Sequence, residues 1–140
     1  MKALAVLEND KVGVIELEKP ENLSENEVLV KIKYSGLCGS DFPRIFEHQA
    51  KFFPVVLGHE FSGEVEKVGE KVKDLTIGDK VSCIPLKPCF ECEACKEGNY
   101  SLCKDYGFIG SRENGGMEEY VKLSERNLQK LPSDVDLLQG

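Results

Sequence analysis

The chain has 140 residues, enough for one domain with a hydrophobic core but few for two. Hydrophobic residues make up 41% of it, which excludes a disordered chain. Its 25 acidic and 18 basic side chains give a formal net charge of −7, which argues against nucleic acid as the main partner, because phosphate backbones bind basic surfaces.

The first residues do not have the pattern of a signal peptide, because their apolar stretch is short and Glu8 and Asp10 follow it. No stretch approaches the roughly 18 apolar residues of a membrane-spanning helix. We therefore expect a cytoplasmic protein without a membrane partner. In that compartment, the six cysteines are expected to be metal ligands or free thiols rather than disulfides.

The first third of the chain predicts antiparallel strands. Residues 2–7 and 12–17 flank the polar stretch 9–11, which is the pattern of a β-hairpin. Residues 27–35 are expected to form a half-buried strand. Its predicted buried face consists of alternate apolar residues: Val28, Val30, Ile32 and Tyr34.

The rest of the chain predicts short elements. Strands are expected at residues 61–68, 80–84 and 118–123. A brief helix is expected in the forties, with Ser40 as a candidate N-cap. A last helix would begin at Ser133 and end after little more than one turn, too short to be stable alone. We therefore expect the 140 residues to be a piece of a longer protein.

Residues 85–105 have no apolar periodicity and are rich in proline, cysteine, glycine and charge. Four cysteines in this loop follow the spacing C-x2-C-x2-C-x7-C: Cys89, Cys92, Cys95 and Cys103. Four thiolates that converge on one ion make the closed tetrahedral site typical of structural zinc. We predict that zinc organises this loop and does no chemistry, because a closed site has no position for a substrate.

A second group of metal-ligand residue types lies upstream. Cys38 stands in GLCGSD and His59-Glu60 in GHE, with glycines that allow close backbone approach. A lone cysteine or histidine is more often structural, but together they suggest a catalytic zinc, which uses three protein ligands and keeps one position open. Glu60 is expected to give an oxygen ligand or to support the site, and Asp41 to orient the His59 ring.

These motifs carry a family resemblance. Four segments occur in order over nearly the whole chain: GLCGSD, GHEFSGEVEKVGEKVKDLTIGDKV, PCFECEACKEGNYSLC and GGMEEYV. In this series the chain resembles the zinc-dependent medium-chain alcohol and polyol dehydrogenases. The resemblance implies a mainly β, barrel-like GroES-like catalytic domain over residues 1–140, with short helices and a zinc-stapled loop. It also implies a nicotinamide-binding Rossmann domain downstream, since this sequence contains no G-x-G-x-x-G.

Within the family, the chain is most similar to members that oxidise galactitol 1-phosphate. The segments that match beyond the zinc motifs are SGLCGSDFPRIF, FPVVLGHEFSG, IPLKPCFEC and DYGFIGSRENGG. Members that act on sorbitol or threonine share the zinc motifs and remain alternatives. The resemblance implies NAD-linked oxidation of a secondary alcohol, a role in galactitol metabolism and a homo-oligomeric complete protein.

The resemblance also implies roles for single residues. Cys38, His59 and Glu60 would hold the catalytic zinc, which activates the substrate hydroxyl. The Ser40 hydroxyl would relay the proton outward, with a plain helix cap as the alternative. Arg44 is a candidate for binding a substrate phosphate, with a solvated surface arginine as the alternative.

Other features are expected to be secondary to this site. Lys51 is a weaker candidate for the phosphate, His48 is expected to be a surface residue, and Cys83 a core thiol. Polyol dehydrogenases often take a further glutamate ligand from an EP segment that these 140 residues lack. We therefore expect an incomplete catalytic site, no activity of the 140 residues alone, and some self-association through an exposed cleft face.

Two other classes compete with this interpretation. An iron–sulfur protein would also use C-x2-C-x2-C, but it usually places the fourth cysteine at C-x3-C and leaves Cys38 and GHE unexplained. A zinc-stabilised, non-catalytic binding domain would need no open metal position, so it does not account for the pairing of Cys38 with His59.

Overall fold

In the computed structural model, which describes residues 1–140, the chain is mainly β, as the sequence predicted. The strands are β1 (Lys2–Glu8), β2 (Lys11–Glu16), β3 (Glu27–Ser35), β4 (Val55–Val56), β5 (Phe61–Val68), β6 (Lys80–Cys83), β7 (Leu86–Lys87), β8 (Gly107–Phe108), β9 (Tyr120–Ser124) and β10 (Leu128–Lys130). The helices are α1 (Phe42–Phe46) and α2 (Glu93–Lys96), with single 3₁₀ turns at Gly39–Asp41, Tyr100–Leu102 and Glu125–Asn127. Neither helix has the length and apolar character that crossing a membrane requires.

The predicted hairpin forms the first sheet. β1 and β2 pair antiparallel around a turn at Asn9 and Asp10, which confirms the prediction from the polar stretch. Asp10 adopts φ 61°, in the left-handed region that aspartate tolerates better than most residues. The short strand β4 pairs with the other edge of β1, so that the sheet order is β2-β1-β4.

A five-stranded antiparallel sheet holds the main core. Its strands follow the order β10-β6-β5-β3-β9, and the sheet curls into a half-barrel. The sequence predicted four of these strands but not β10, which has three residues and therefore no periodicity to detect. Ten buried residues form the main core: Val28, Val30, Phe61, Val65, Leu75, Val81, Ile109, Val121, Leu123 and Leu128.

The burial pattern of β3 differs from the predicted alternation. Val28 and Val30 are fully buried as expected, but Leu29, on the other face, is also fully buried. Tyr34, predicted to be buried, is 49% exposed. Because β3 runs between β5 and β9, its first residues lie in the middle of the sheet while its last ones extend past β9, whose pairing ends at Lys31. The burial of a β3 residue therefore depends more on whether it lies in the middle or at the end of the strand than on the face to which its side chain points.

Two glycines allow backbone segments to meet beside His59. Gly58 has φ +95°, and the N–H of Gly116 donates to its carbonyl oxygen at 2.8 Å. A Cβ on Gly115 would lie 2.1 Å from that same oxygen, so only glycine fits there. The Gly115-Gly116 segment therefore holds the chain immediately before His59, although more than fifty residues separate the two segments in sequence.

The end of the chain contains turns rather than the helix expected to begin at Ser133, and that expectation was wrong. The Ser62 hydroxyl donates to the backbone oxygen of Leu137, and Lys80 Nζ donates to that of Val135 at 3.3 Å. These contacts with the large sheet satisfy carbonyl groups that a helix would have used internally. The tertiary contacts therefore override a weak local helix signal.

Candidate metal sites and active site

The four cysteines of the loop converge in the structure. Cys89 follows β7, Cys92 immediately precedes α2, Cys95 lies within α2, and Cys103 follows the last 3₁₀ residue, Leu102. Their four Sγ atoms all lie within 4.8 Å of one another, and Cys95 and Cys103 are buried. The fold thus brings together all four residues that the spacing singled out.

The geometry around these sulfur atoms fits a zinc ion. The backbone N–H of Cys89 donates to Cys103 Sγ at 3.3 Å, and that of Cys92 to Cys89 Sγ at 3.4 Å. The Sγ atoms of Cys89 and Cys95 are 4.0 Å apart. A tetrahedron with zinc–sulfur bonds of about 2.3 Å has edges of roughly 3.8 Å, so the observed separation is close to that of a four-sulfur site.

The local environment also distinguishes the thiols. Hydrogen bonds from the backbone N–H groups of Cys95 and Lys104 lower the pKa of Cys92 to about 6. Burial raises the pKa of Cys95 to about 12. Neighbouring thiolates repel one another, so all four thiols ionise together only when a cation compensates their charge. This donor set is therefore fully ionised only with a bound cation, and thiolate sulfur is a ligand that zinc accepts.

The second group of predicted ligands also converges. Cys38 stands at the N-cap of the first 3₁₀ turn, and His59 and Glu60 immediately precede β5. The Cys38 Sγ, a ring nitrogen of His59 and a carboxylate oxygen of Glu60 all lie within 4.8 Å of one another. His59 is 8% exposed whereas Glu60 is exposed, so the group borders solvent on the Glu60 side.

Asp41 is fully buried and links the residues of this group. Its Oδ2 accepts a hydrogen bond from the backbone N–H of Cys38 at 3.1 Å, and its Oδ1 lies 3.1 Å from Arg44 Nη1. The same Oδ1 lies 3.6 Å from His59 Nδ1, slightly beyond hydrogen-bond range, and Nδ1 is buried without a partner. A small rotation of the ring would close that bond and leave Nε2 available to a metal ion.

Ser40 does not cap the helix, so the structural alternative for this residue was wrong. The 3₁₀ turn inserts before α1, so the N-cap positions belong to Cys38 and Asp41. The Ser40 hydroxyl lies instead 3.5 Å from His59 Nε2 and 3.3 Å from Arg44 Nη1. It therefore stands between the three candidate ligands and the arginine.

Phe108 is a neighbour of the site that the sequence did not indicate. Its ring meets the His59 ring edge to face, with the ring centroids 5.6 Å apart. Phe108 lies in β8, which pairs with β7 and so comes from the far side of the cysteine loop. A strand of two residues has no periodic pattern, so apart from its place in the matching segment DYGFIGSRENGG no sequence signal marked Phe108.

The remaining candidates surround this group. Arg44 lies on α1 with a side chain that is 17% exposed, rather than fully solvated as the alternative supposed. His48 is exposed and its Nε2 lies 2.9 Å from Asp10 Oδ2, in agreement with a surface position. Cys83 packs against the main core, where burial raises its pKa to about 12.

Both groups have donors that zinc accepts: four sulfur atoms in the loop, and sulfur, imidazole nitrogen and carboxylate oxygen beside Ser40. The two groups differ in the number of metal ligands that they supply. The four-cysteine group supplies a full tetrahedral set, whereas the group of Cys38, His59 and Glu60 supplies three ligands and leaves a position for a further one. The first arrangement suits a structural ion, and the second suits chemistry at the metal.

Comparison with known proteins agrees with this geometry. Residues 24–133 match the family described as the alcohol dehydrogenase GroES-like domain. The chain is 48% identical over 135 residues to galactitol 1-phosphate 5-dehydrogenase of Escherichia coli strain K12, covering 94% of this chain and 39% of that protein. It is 41% identical over 128 residues to D-arabitol-phosphate dehydrogenase of Enterococcus avium, covering 90% of this chain and 36% of the relative.

Solved structures give the same fold. The chain superimposes on galactitol-1-phosphate dehydrogenase from Escherichia coli with a TM-score of 0.94 and 48% identity, covering 98% of this chain and 40% of that one. It matches a short chain alcohol dehydrogenase from Escherichia coli CFT073, complexed with cofactor NADH, with a TM-score of 0.90 and 33% identity. The match covers 99% of this chain and 40% of that chain. The GroES-like fold is therefore confirmed, and the chain spans about two fifths of the length of the curated relatives it matches, 39% for the first.

Proposed function

The chain belongs to the alcohol dehydrogenase GroES-like domain family, and on that premise we propose that it is the catalytic part of a zinc-dependent polyol dehydrogenase. The observation that carries the proposal is the convergence of Cys38, His59 and Glu60 within 4.8 Å, beside the hydroxyl of Ser40. A binding domain without chemistry has no use for three ligands that leave a metal position open.

Cys38, His59 and Glu60 would hold the catalytic ion. A zinc ion bound there supplies a Lewis acid, which lowers the pKa of a substrate hydroxyl. Asp41 fixes the geometry, because it accepts from the Cys38 backbone and lies against His59 Nδ1. Its negative charge favours the ring tautomer that presents Nε2 to the ligand position.

Ser40 is our candidate for moving the substrate proton. Its hydroxyl faces the candidate metal position through the contact with His59 Nε2, and it also lines a cleft that opens to solvent. A hydroxyl can accept a proton at one lone pair while it donates its own proton outward. A nicotinamide held by the remainder of the enzyme would supply the hydride acceptor, and the residues described here would hold the substrate hydroxyl and its proton.

The nicotinamide-binding part is proposed to lie outside these 140 residues. The sequence has no G-x-G-x-x-G, and the chain covers 40% of a similar dehydrogenase that binds NADH. The proposal therefore assigns residues 1–140 to metal and substrate binding, with NAD held by the remainder of a homo-oligomeric, cytoplasmic enzyme.

The proposed substrate is galactitol 1-phosphate. Two relatives of this chain are named for polyol phosphates, galactitol 1-phosphate and D-arabitol phosphate. Sorbitol dehydrogenase of Halalkalibacterium halodurans is 36% identical, so an unphosphorylated polyol is the second candidate.

Metal content and turnover test the proposal together. The complete protein should hold two zinc ions and no iron per chain, and should reduce NAD⁺ in the presence of galactitol 1-phosphate. Cys38→Ser should lose one zinc ion and turnover but keep its fold, whereas the control Cys83→Ser should keep both ions. Iron in place of zinc, or full turnover of the Cys38→Ser protein, would refute the assignment.

A further inference from the structure

A cleft of about 710 Å³ opens beside Ser40. It lies between α1 with the residues that follow it and the segment from Tyr106 to Arg112. Three basic side chains line it, those of Arg44, Lys51 and Arg112. No aspartate or glutamate lines it, although the chain carries 25 acidic residues and a net charge of −7. The cleft is thus a local positive region in an acidic protein.

Arg44 has an unused hydrogen-bonding edge in this cleft. Its three hydrogen bonds all come from one nitrogen, Nη1, to the Ser40 carbonyl and hydroxyl and to Asp41 Oδ1. Nη2 and Nε donate to nothing in the chain. The guanidinium is therefore held through Nη1, while Nη2 and Nε remain free for a ligand. These two nitrogens can donate side by side to two oxygens of a phosphate.

Arg112 and Lys51 have no acidic partner. Neither side chain takes part in an ion pair or hydrogen bond within the chain, in contrast to His48, which pairs with Asp10. The Arg112 guanidinium lies 4.1 Å from the centre of the Tyr106 ring, so it is ordered by stacking. Stacking leaves the N–H groups at the guanidinium edge free to donate. Both residues are exposed and neither has a counterion within the chain, so both charges are free to pair with an anion bound in the cleft.

Ser111 adds a neutral donor to the same wall. It is 9% exposed and lines the cleft, and its hydroxyl makes no hydrogen bond within the chain. The cleft therefore offers a guanidinium fork, a second guanidinium, an ammonium and a hydroxyl. A dianionic phosphate, with its several acceptor oxygens, matches this set better than a carboxylate does.

We propose that this cleft is the phosphate subsite of the enzyme, and that Arg112 and Lys51 select phosphorylated over free polyols. Arg44 would lie between this subsite and the hydroxyl of the substrate that is oxidised beside Ser40. The proposal rests on the function proposed above, because it needs a substrate that extends from Ser40 into the cleft. In a polyol phosphate oxidised far from its phosphate, the two groups lie at opposite ends of the carbon chain. Arg44, which contacts Ser40 and lines the cleft, lies between the two ends.

The test compares galactitol 1-phosphate with galactitol as substrates of the complete zinc-loaded protein. Arg112→Gln and Lys51→Gln should each raise the KM for galactitol 1-phosphate by about tenfold or more, with kcat nearly unchanged. The kcat/KM for galactitol should not change. Arg126→Gln is the matched control, because Arg126 also stacks on an aromatic ring, that of Phe90, but lies outside the cleft.

Direct binding separates this proposal from the proposed function. Isothermal titration calorimetry would compare galactitol 1-phosphate, galactitol and inorganic phosphate as ligands. The wild type should bind galactitol 1-phosphate and inorganic phosphate more tightly than galactitol, and Arg112→Gln should lose this preference. Binding without turnover of either polyol would refute the dehydrogenase function but keep the subsite. Turnover with equal efficiency for both polyols, or equal losses for both in the Arg112 variant, would refute the subsite.

Discussion

The two groups of metal-ligand residues are built in opposite ways. The cysteine group is local, since all four ligands lie between Cys89 and Cys103 and two of them accept hydrogen bonds from backbone groups of the same loop. The group beside Ser40 is assembled from separate segments that the sheets and the Gly115-Gly116 segment bring together. We propose that the local group depends on a bound ion for its stability, whereas the assembled group depends on the fold to bring its ligands together.

The largest effect that this comparison predicts follows from removing a ligand of the local group. Cys95→Ser should destabilise the protein by at least about 3 kcal/mol, because structural zinc contributes on the order of 10 kcal/mol to folding in small zinc domains. Hydrogen exchange should show the loss concentrated in residues 85–105. Cys83→Ala is the control, and it should keep the zinc content of the wild type. Full protection of the loop in Cys95→Ser would mean that the ion does not organise it.

The assembled group should be sensitive to a change far from its ligands in sequence. A Cβ at position 115 would lie 2.1 Å from the Gly58 oxygen and 2.6 Å from the Gly110 Cα. Gly115→Ala should therefore cost about 1–3 kcal/mol by displacing the segment before His59. It should release the catalytic zinc ion and leave the four-cysteine ion in place.

Gly39→Ala is the matched control for this substitution. Position 39 adjoins Cys38, but an added Cβ there meets nothing within 4 Å. Zinc content after mild chelation and thermal unfolding would measure both variants. If Gly39→Ala lost more zinc or more thermal stability than Gly115→Ala, closeness in sequence to the ligand Cys38 would matter more than tertiary packing. The group would then not depend on the fold as proposed.

Asp41→Asn tests how far the assembled group depends on one buried carboxylate. The substitution keeps the shape of the side chain and removes the charge that faces His59 Nδ1 and Arg44 Nη1. Zinc affinity of this group should fall by roughly 10- to 100-fold, with the affinity of the cysteine group unchanged. Competition with a fluorescent chelator would measure both affinities, with Asp134→Asn, at an exposed position, as the control. Equal losses at the two groups would show that the change is global.

The last prediction is confined to one pH range and concerns Glu118, which belongs to neither metal group. Burial raises its pKa to about 7 from an ordinary value of 4.5. Between these values the folded protein keeps a proton that the unfolded chain has released, so stability falls as pH rises through this range and stays low above it. Glu118→Gln should remove that loss, stabilising the protein by about 1–3 kcal/mol above pH 7 and by nothing below pH 4.5.

Denaturant unfolding at several pH values would measure this effect. Glu70→Gln, at an exposed position, should show no such pH-dependent difference from the wild type. A constant difference between Glu118→Gln and wild type across the whole range would mean that packing, rather than ionisation, distinguishes them.

Most of the fold was visible in the sequence where elements are long. β3 and β5 have their predicted bounds, because eight or nine residues suffice to show a strand pattern between turn residues. The two-residue strands β4, β7 and β8 and the three-residue β10 were not predicted, because their pairing depends on partners distant in sequence. The failed helix at Ser133 has the same cause, since its carbonyl groups bond to the large sheet.

The residues of the candidate sites also differ in whether a local sequence pattern indicated them. Spacing alone indicated the four cysteines, because ligands two residues apart can reach one ion with little help from the rest of the chain. The motifs around Cys38 and His59 indicated the second group, together with Ser40 and Asp41. Phe108 and Arg112 lie in DYGFIGSRENGG, a segment that carries the family resemblance, but no spacing or ligand motif indicated that they lie against His59 and in the cleft.

By itself, then, the sequence determined which residue types are available for metal binding and which of them lie close enough to act locally. The tertiary structure decided which distant side chains share a site: it brought Phe108 to His59 and Arg112 to the cleft beside Arg44 and Ser40. The physical reason is that thiolate spacing along a loop is a local geometric constraint. A cleft between two segments exists only once the sheets have closed around their shared core.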